Sequence, residues 1–190
     1  MPTSKRSRSP ELRRGQLLDA AESVAIGKGL GSLTVAAVAS SAGVAKGTTY
    51  LYFSSKDELI DAVRDRYLER FLDAIETDDE ATSAEQIAQL IRQLFDFSAS
   101  NHALHHALFH EAGFGEEHSF EPIRKRFADI VAAGIGSGEF RAFDPSAAAS
   151  FVVAGVHGVL VEAAHSDGAR RNFAEAAVAL ALQSLDAHCS

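Results

Sequence analysis

The chain has 190 residues, 46% of them hydrophobic and 23% charged, with 14 Gly, 4 Pro and 1 Cys. This composition excludes whole-chain disorder and leaves room for one domain or two small ones with a buried core. The formal net charge of -8 argues, as an average, against a nucleic-acid partner.

The average conceals a division. The first 56 residues carry 8 basic against 3 acidic side chains, whereas the residues after 70 carry 7 against 18. A basic segment precedes an acidic one, and the two are read separately. Residues 1–10, rich in Ser, Pro, Lys and Arg, form an expected flexible basic arm. From Glu11 to about Ile26 the apolar positions Leu17, Ala21 and Val24 recur at helical spacing. Gly27, Gly29 and Gly31 stop that helix, and Thr34 can cap a short one that buries Val35, Val38 and Ala39. Ala42-Gly43-Val44 supplies a tight turn before a very short helix within Ala45–Tyr50. Ser54 with Asp57 and Ser55 with Glu58 each offer a capping box ahead of a longer helix reaching about Ile75.

Beyond the acidic stretch Glu76–Glu80, the periodicity predicts helices at roughly 83–99, 101–111, 119–134, 145–165 and 169–187, Asp144-Pro145 being a start signal for the fourth. No long alternating pattern competes, so the fold class is all-α. A three-helix helix-turn-helix head, 11–56, is joined by a long helix to a helical body, 57–190. The last two helices are dominated by Ala, Val and Gly over much of their circumference and need cover on more than one side. A two-fold dimer through 145–165 and 169–187 provides it; the alternative is that one of them is the central helix of a monomer.

Helix, turn and short helix alone are a weak signal. The combination is specific: residues 34–59, TVAAVASSAGVAKGTTYLYFSSKDEL, with GQLLDAAESVAIGKGLGSL before them, resemble the DNA-binding domain of the TetR/AcrR family of transcriptional regulators. The detailed resemblance covers residues 11–70. Beyond that only the layout is similar, with Gly138-Glu139-Phe140-Arg141 ahead of Asp144-Pro145 as a further family feature. The resemblance implies a homodimer on a palindromic double-stranded DNA operator, commonly a repressor released by a small apolar or amphipathic ligand. Carried over by position, the expected DNA-binding residues are Thr34, Ala45, Lys46, Gly47, Thr48, Thr49, Tyr50 and Lys56, with Arg13 and Arg14 at the start of the first helix as further phosphate contacts. Thr48 and Thr49 would meet base edges, Tyr50 and Lys56 phosphates. Ala45 departs from the Ser or Thr often found there and cannot accept a cap hydrogen bond. Tyr52 and Phe53 read more readily as packing residues.

All eight histidines follow residue 100. His102, His106 and His110 lie along one helix face at i, i+4, i+8, a spacing that could share a transition metal, although ordinary solvated or hydrogen-bonded histidines are the milder reading. A ligand pocket in the body would be lined by His106, Phe109, His110, Phe127, Phe151 and His157. No cofactor is expected. The sequence has no GxSxG elbow, phosphate loop or HExxH motif, so no enzyme is expected. A helical protein-interaction domain without sequence-specific DNA binding is the stronger rival, yet it gives the Lys46–Tyr50 segment no purpose. The single cysteine, Cys189, excludes an intrachain disulfide and fits the cytoplasm. No signal-peptide core follows the first basic residues, and the apolar run Phe151–Val161 is too short for a span and contains His157, so no membrane partner is expected.

Overall fold

The computed structural model describes residues 9–76, 78, 80–109, 120–164 and 170–186. His110, Glu111, Phe114, His118, His165, His188, Cys189 and most of the basic arm lie outside them. The helices are α1 Pro10–Lys28, α2 Val35–Ser41, α3 Lys46–Tyr50, α4 Lys56–Ala74, α5 Ser83–Ser100, α6 His102–Phe109, α7 Glu121–Ser137, α8 Pro145–Ala164 and α9 Arg170–Asp186, with a 3-10 turn at Leu30–Ser32. The all-α expectation and the element order match within a few residues at each end.

Tertiary contacts divide the chain into two compact units, Met1–Tyr67 with His102–Gly115, and Leu68–Asn101 with Glu116–Ser190. In the first unit, Ser9 caps α1 by accepting the Leu12 N–H, and Pro10 occupies the first turn, where a missing donor costs nothing. Thr34 Oγ1 accepts the Ala37 N–H at 3.1 Å and starts α2. The α2–α3 turn depends on Gly43, whose φ of 65° is the left-handed conformation that side-chain-bearing residues avoid. That conformation returns the Val44 N–H to the Ala39 carbonyl at 2.9 Å. Leu17, Ala21, Leu33, Val38, Phe53, Leu59 and Val63 then share one buried core. Arg66 ties α4 to α1: Nε donates to Glu22 Oε1 at 2.9 Å and Nη1 to Asp19 Oδ1 at 2.8 Å.

Helix α6, although distant in sequence, clusters with these helices and packs on α1. Two side chains of α4 hold it. Buried Arg64 donates Nε and Nη2 to the Leu108 carbonyl in the last turn of α6, at 3.3 and 3.1 Å. The Tyr67 hydroxyl hydrogen-bonds His105 Nδ1 at 3.0 Å, and burial holds its phenol well above the usual tyrosine range.

In the second unit α7 packs on α8, α8 on α9, α9 on α5 and α5 on α7, so four helices close a ring. Ile87, Ile91, Phe95, Phe127, Val131, Val156 and Leu185 fill it. Thr82 and Glu85 form a reciprocal capping box at the start of α5. Asp144 Oδ1 accepts the Ala147 N–H at 2.7 Å to open α8, as the Asp-Pro pair predicts. Arg92 and Glu175 join α5 to α9 through two bonds of 2.7 and 2.8 Å. At Gly134 the Phe140 ring lies where a Cβ would stand, so the family-like Gly-Glu-Phe-Arg segment is seated against α7 only because residue 134 is glycine.

One expectation needs correction. By length and composition alone, Pro145–Ala163 is 19 residues at mean hydropathy 1.5 and meets the requirement for a membrane span. The unbroken run Phe151–Val161 is shorter, but flanking alanines extend the apolar stretch, and Pro145, two serines and Glu162 are too few to offset them. In this fold the segment is α8, packed between α7 and α9.

Candidate DNA-reading face and body cavity

Helix α3 has five residues, and its register determines which side chains face outward. Ala45, Lys46, Gly47 and Tyr50 are exposed, and Thr48 is half-buried. Lys46 Nζ stands 5.6 Å from the Tyr50 ring centroid, so the pair forms one cationic and aromatic surface. Ala45 occupies the cap position in extended conformation with no side-chain cap bond, as its methyl side chain requires.

Thr49 does not fit the expected base-edge role. It is 0% exposed and its hydroxyl oxygen has no hydrogen-bond partner. Helical periodicity places it with Phe53, four residues on and also buried, on the inward face of the head. The neighbour in the Thr-Thr pair is thus the one that reaches the surface. Leu51, to which the family pattern assigns no contact, is 82% exposed at the end of α3. An apolar residue in a short helix reads by default as core, so sequence alone gave no signal for it.

The start of α4 borders this face. Lys56 is half-buried and donates Nζ to the Gly31 carbonyl at 3.3 Å, which leaves two ammonium protons for an outside acceptor. Ser55 Oγ accepts the Glu58 N–H at 3.0 Å, and Glu58 Oε2 accepts from both the N–H and the hydroxyl of Ser54, each at 2.6 Å. Glu58 therefore serves both serines, where two separate boxes were expected. The Ser54 bonds, with the charge of Arg14, hold the Glu58 carboxyl below its ordinary range. The exposed Arg14 guanidinium sits 5.5 Å over the Phe53 ring, which fixes its direction, while Arg13 donates to Gln16. Thr34 is exposed although its oxygen is engaged in the cap.

The residues expected to line a ligand pocket fall in both units. His106 and Phe109 belong to α6 of the first; His102 and His106 stack at 6.1 Å, and Phe109 packs 5.0 Å from His105. Phe127 and His157 are buried in the second, His157 edge-on to Phe120 at 5.1 Å. Phe151 is a correction: it is 69% exposed and lines an open apolar groove of about 410 Å³ between α8 and α9, with Val152, Gly155, Val156, Val159 and Leu180. Helix α8 is apolar on nearly every face, so periodicity could not tell which phenylalanine turns inward. Among the described residues no three His, Cys, Asp or Glu side chains are grouped as metal ligands.

A family profile described as "Bacterial regulatory proteins, tetR family" matches residues 17–63, which span α1 to the first half of α4. HTH-type transcriptional repressor KstR2 of Mycobacterium tuberculosis is 30% identical over 141 residues, covering 68% of this chain and 70% of that one. The chain belongs to the TetR family. Like other TetR-family members it is a DNA-binding transcriptional regulator. The Bacillus subtilis fatty acid metabolism regulator protein is 34% identical over 91 residues, so the match spans 47% of each chain, about half the relative's length. The crystal structure of FadR from Bacillus subtilis in complex with stearoyl-CoA has the same TetR-family fold, with a TM-score of 0.72 at 23% identity, over 90% of this chain and 98% of that one.

Proposed function

We propose that this TetR-family regulator is a homodimeric repressor in the cytoplasm that holds a palindromic operator and releases it on binding a small amphipathic ligand. The observation that carries the DNA half is the open face of α3, bordered by Lys46, Lys56 and Arg14 in the basic part of the chain. Residues 11–56 carry the DNA-binding face, in a compact unit that also takes in the first part of α4 and α6, and ligand binding and dimerisation fall to the rest of 57–190. Gly47 and Ala45 give the backbone close access, Thr48 reaches a base edge, and Tyr50, Lys56, Arg14 and Thr34 contact phosphates. Buried Thr49 supports the head from within.

The dimer rests on α8 and α9. Phe151 and Leu180, 69% and 61% exposed, flank the apolar groove, and a second copy of the same two helices would remove that surface from water. Operator half-sites about 34–36 Å apart suit two heads held by such a body, and a change in head separation releases DNA without altering a contact residue. Repression is supported by the likeness to the transcriptional repressor KstR2, and an amphipathic ligand by the likeness to the fatty acid metabolism regulator and to the stearoyl-CoA complex.

Selection from random duplex DNA tests the reading. A palindrome should be enriched, bound by a dimer, and released by a long-chain acyl-CoA. Lys56→Ala should weaken binding at every sequence and make the logarithmic salt dependence shallower by about one unit per protomer. Enrichment of no sequence would remove the regulator-specific part of the proposal.

A further inference from the structure

Helix α3 contains a glycine that the protein's own packing does not require. Gly47 is absent from the positive-φ glycines, and a Cβ built on it meets nothing within 4 Å. Glycine lowers helix propensity, so neither backbone conformation nor crowding within the chain accounts for it. Gly15, Gly27, Gly31, Gly136, Gly155 and Gly158 are equally uncrowded, but Gly47 is the one of them on the exposed face of α3, where it leaves open space outside the chain.

Four residues on, and so on the same helical face, stands Leu51. At 82% it is the most exposed large hydrophobic side chain among the described residues. The residues around it are otherwise engaged: Tyr50 lies against Lys46, Tyr52 is half-buried and Phe53 is buried. Gly47 and Leu51 therefore make a notch beside an apolar knob. The surrounding basic charge, 8 Lys and Arg against 3 Asp and Glu in the first 56 residues, selects a polyanion over a second, like-charged head as the occupant.

We propose that Leu51 is a sequence-reading residue, packing its isobutyl group on the 5-methyl group of a thymine in the major groove, with Gly47 admitting α3 closely enough to seat it. The inference rests on the DNA-binding reading above. Thymine is the base whose major-groove edge presents a methyl group, and an apolar contact to it neutralises no phosphate. Leu51 thus contributes base preference without contributing to the salt dependence.

The test uses the full chain and a duplex enriched by selection. If the parent protein enriches no duplex, the DNA-binding reading itself fails, which is distinct from failure of the Leu51 role. On an enriched site, thymines are replaced symmetrically, one position at a time, by deoxyuridine, which lacks only the methyl group. At one position per half-site the parent should lose about fourfold per half-site, the effect of one buried methyl, and about fifteenfold over both. Leu51→Ala should bind the unmodified site more weakly, with an unchanged salt slope, and be indifferent to deoxyuridine at that position. Leu51→Met should retain the thymine dependence. Because the side chain is exposed, thermal midpoints of both variants should match the parent. The proposal is overturned if no thymine methyl matters, if Leu51→Ala responds to deoxyuridine as the parent does, or if Leu51→Ala binds as tightly as the parent or with a shallower salt slope.

Discussion

Replacing Arg66 should loosen the DNA-binding head more than any surface charge removal. Its side chain is 17% exposed and lies against Glu22, which is 13% exposed, and Asp19, which is 72% exposed. Arg66→Ala leaves the Glu22 carboxylate largely out of water without its guanidinium, a loss of about 3 kcal/mol. The Asp19 contact faces solvent and adds only about 0.5 kcal/mol. For a chain of this size about 3 kcal/mol corresponds to a fall in thermal midpoint of roughly 6–12 °C. The assay is circular dichroism at fixed protein concentration, since self-association would make the midpoint concentration-dependent. The double replacement Arg66→Met with Glu22→Leu removes both charges and keeps apolar volume, so it should recover to within about 1 kcal/mol of the parent. A single variant within about 2 °C of the parent, or a double variant no better than the single, would refute the assignment of this pair as the tie between α1 and α4.

Three further outcomes follow from local geometry. Ala45→Ser should add the missing cap of α3 and raise stability by about 0.5–1 kcal/mol, read as a higher urea midpoint with unchanged slope. Gly134→Ala should cost about 1–3 kcal/mol, because the new methyl overlaps the Phe140 ring and lies 2.9 Å from Ser83 Cβ; adding Phe140→Leu should return part of it. The Thr82 bonds hold the Glu85 carboxyl below its ordinary value of 4.5, so its contribution is complete above that value and is lost as pH falls through the lower, folded value. Stability measured from pH 6 downward should therefore fall less steeply in Glu85→Gln than in the parent.

Much of this architecture was legible because capping and turn residues act locally. Thr34, Gly43 and Asp144-Pro145 each mark an element boundary through a bond or dihedral set within a few residues, and all three appear where the sequence placed them. What escaped depends on register or distance. Thr48 and Thr49 are chemically identical, and only the angular position of Thr49 over Phe53 assigns one to the surface and the other to the core. Phe151 escaped for the opposite reason, since an all-apolar helix has no polar face to orient it. The inclusion of α6 with the N-terminal helices depends on Arg64 reaching Leu108, 44 residues away, a bond with no local signature.

Helix α3 contributes little to its own stability: it has five residues, no side-chain cap and one buried hydroxyl without a partner. It is held in place by its mount, the Gly43 turn on one side and Phe53 on the other. Such a division decouples folding from recognition. Lys46, Gly47, Thr48, Tyr50 and Leu51 can change with small effect on the scaffold, while Gly43, Thr49 and Phe53 cannot. The head is therefore open to retargeting, and duplicated copies of this chain could diverge to new operators through a handful of outward-facing substitutions without first having to evolve a more stable fold.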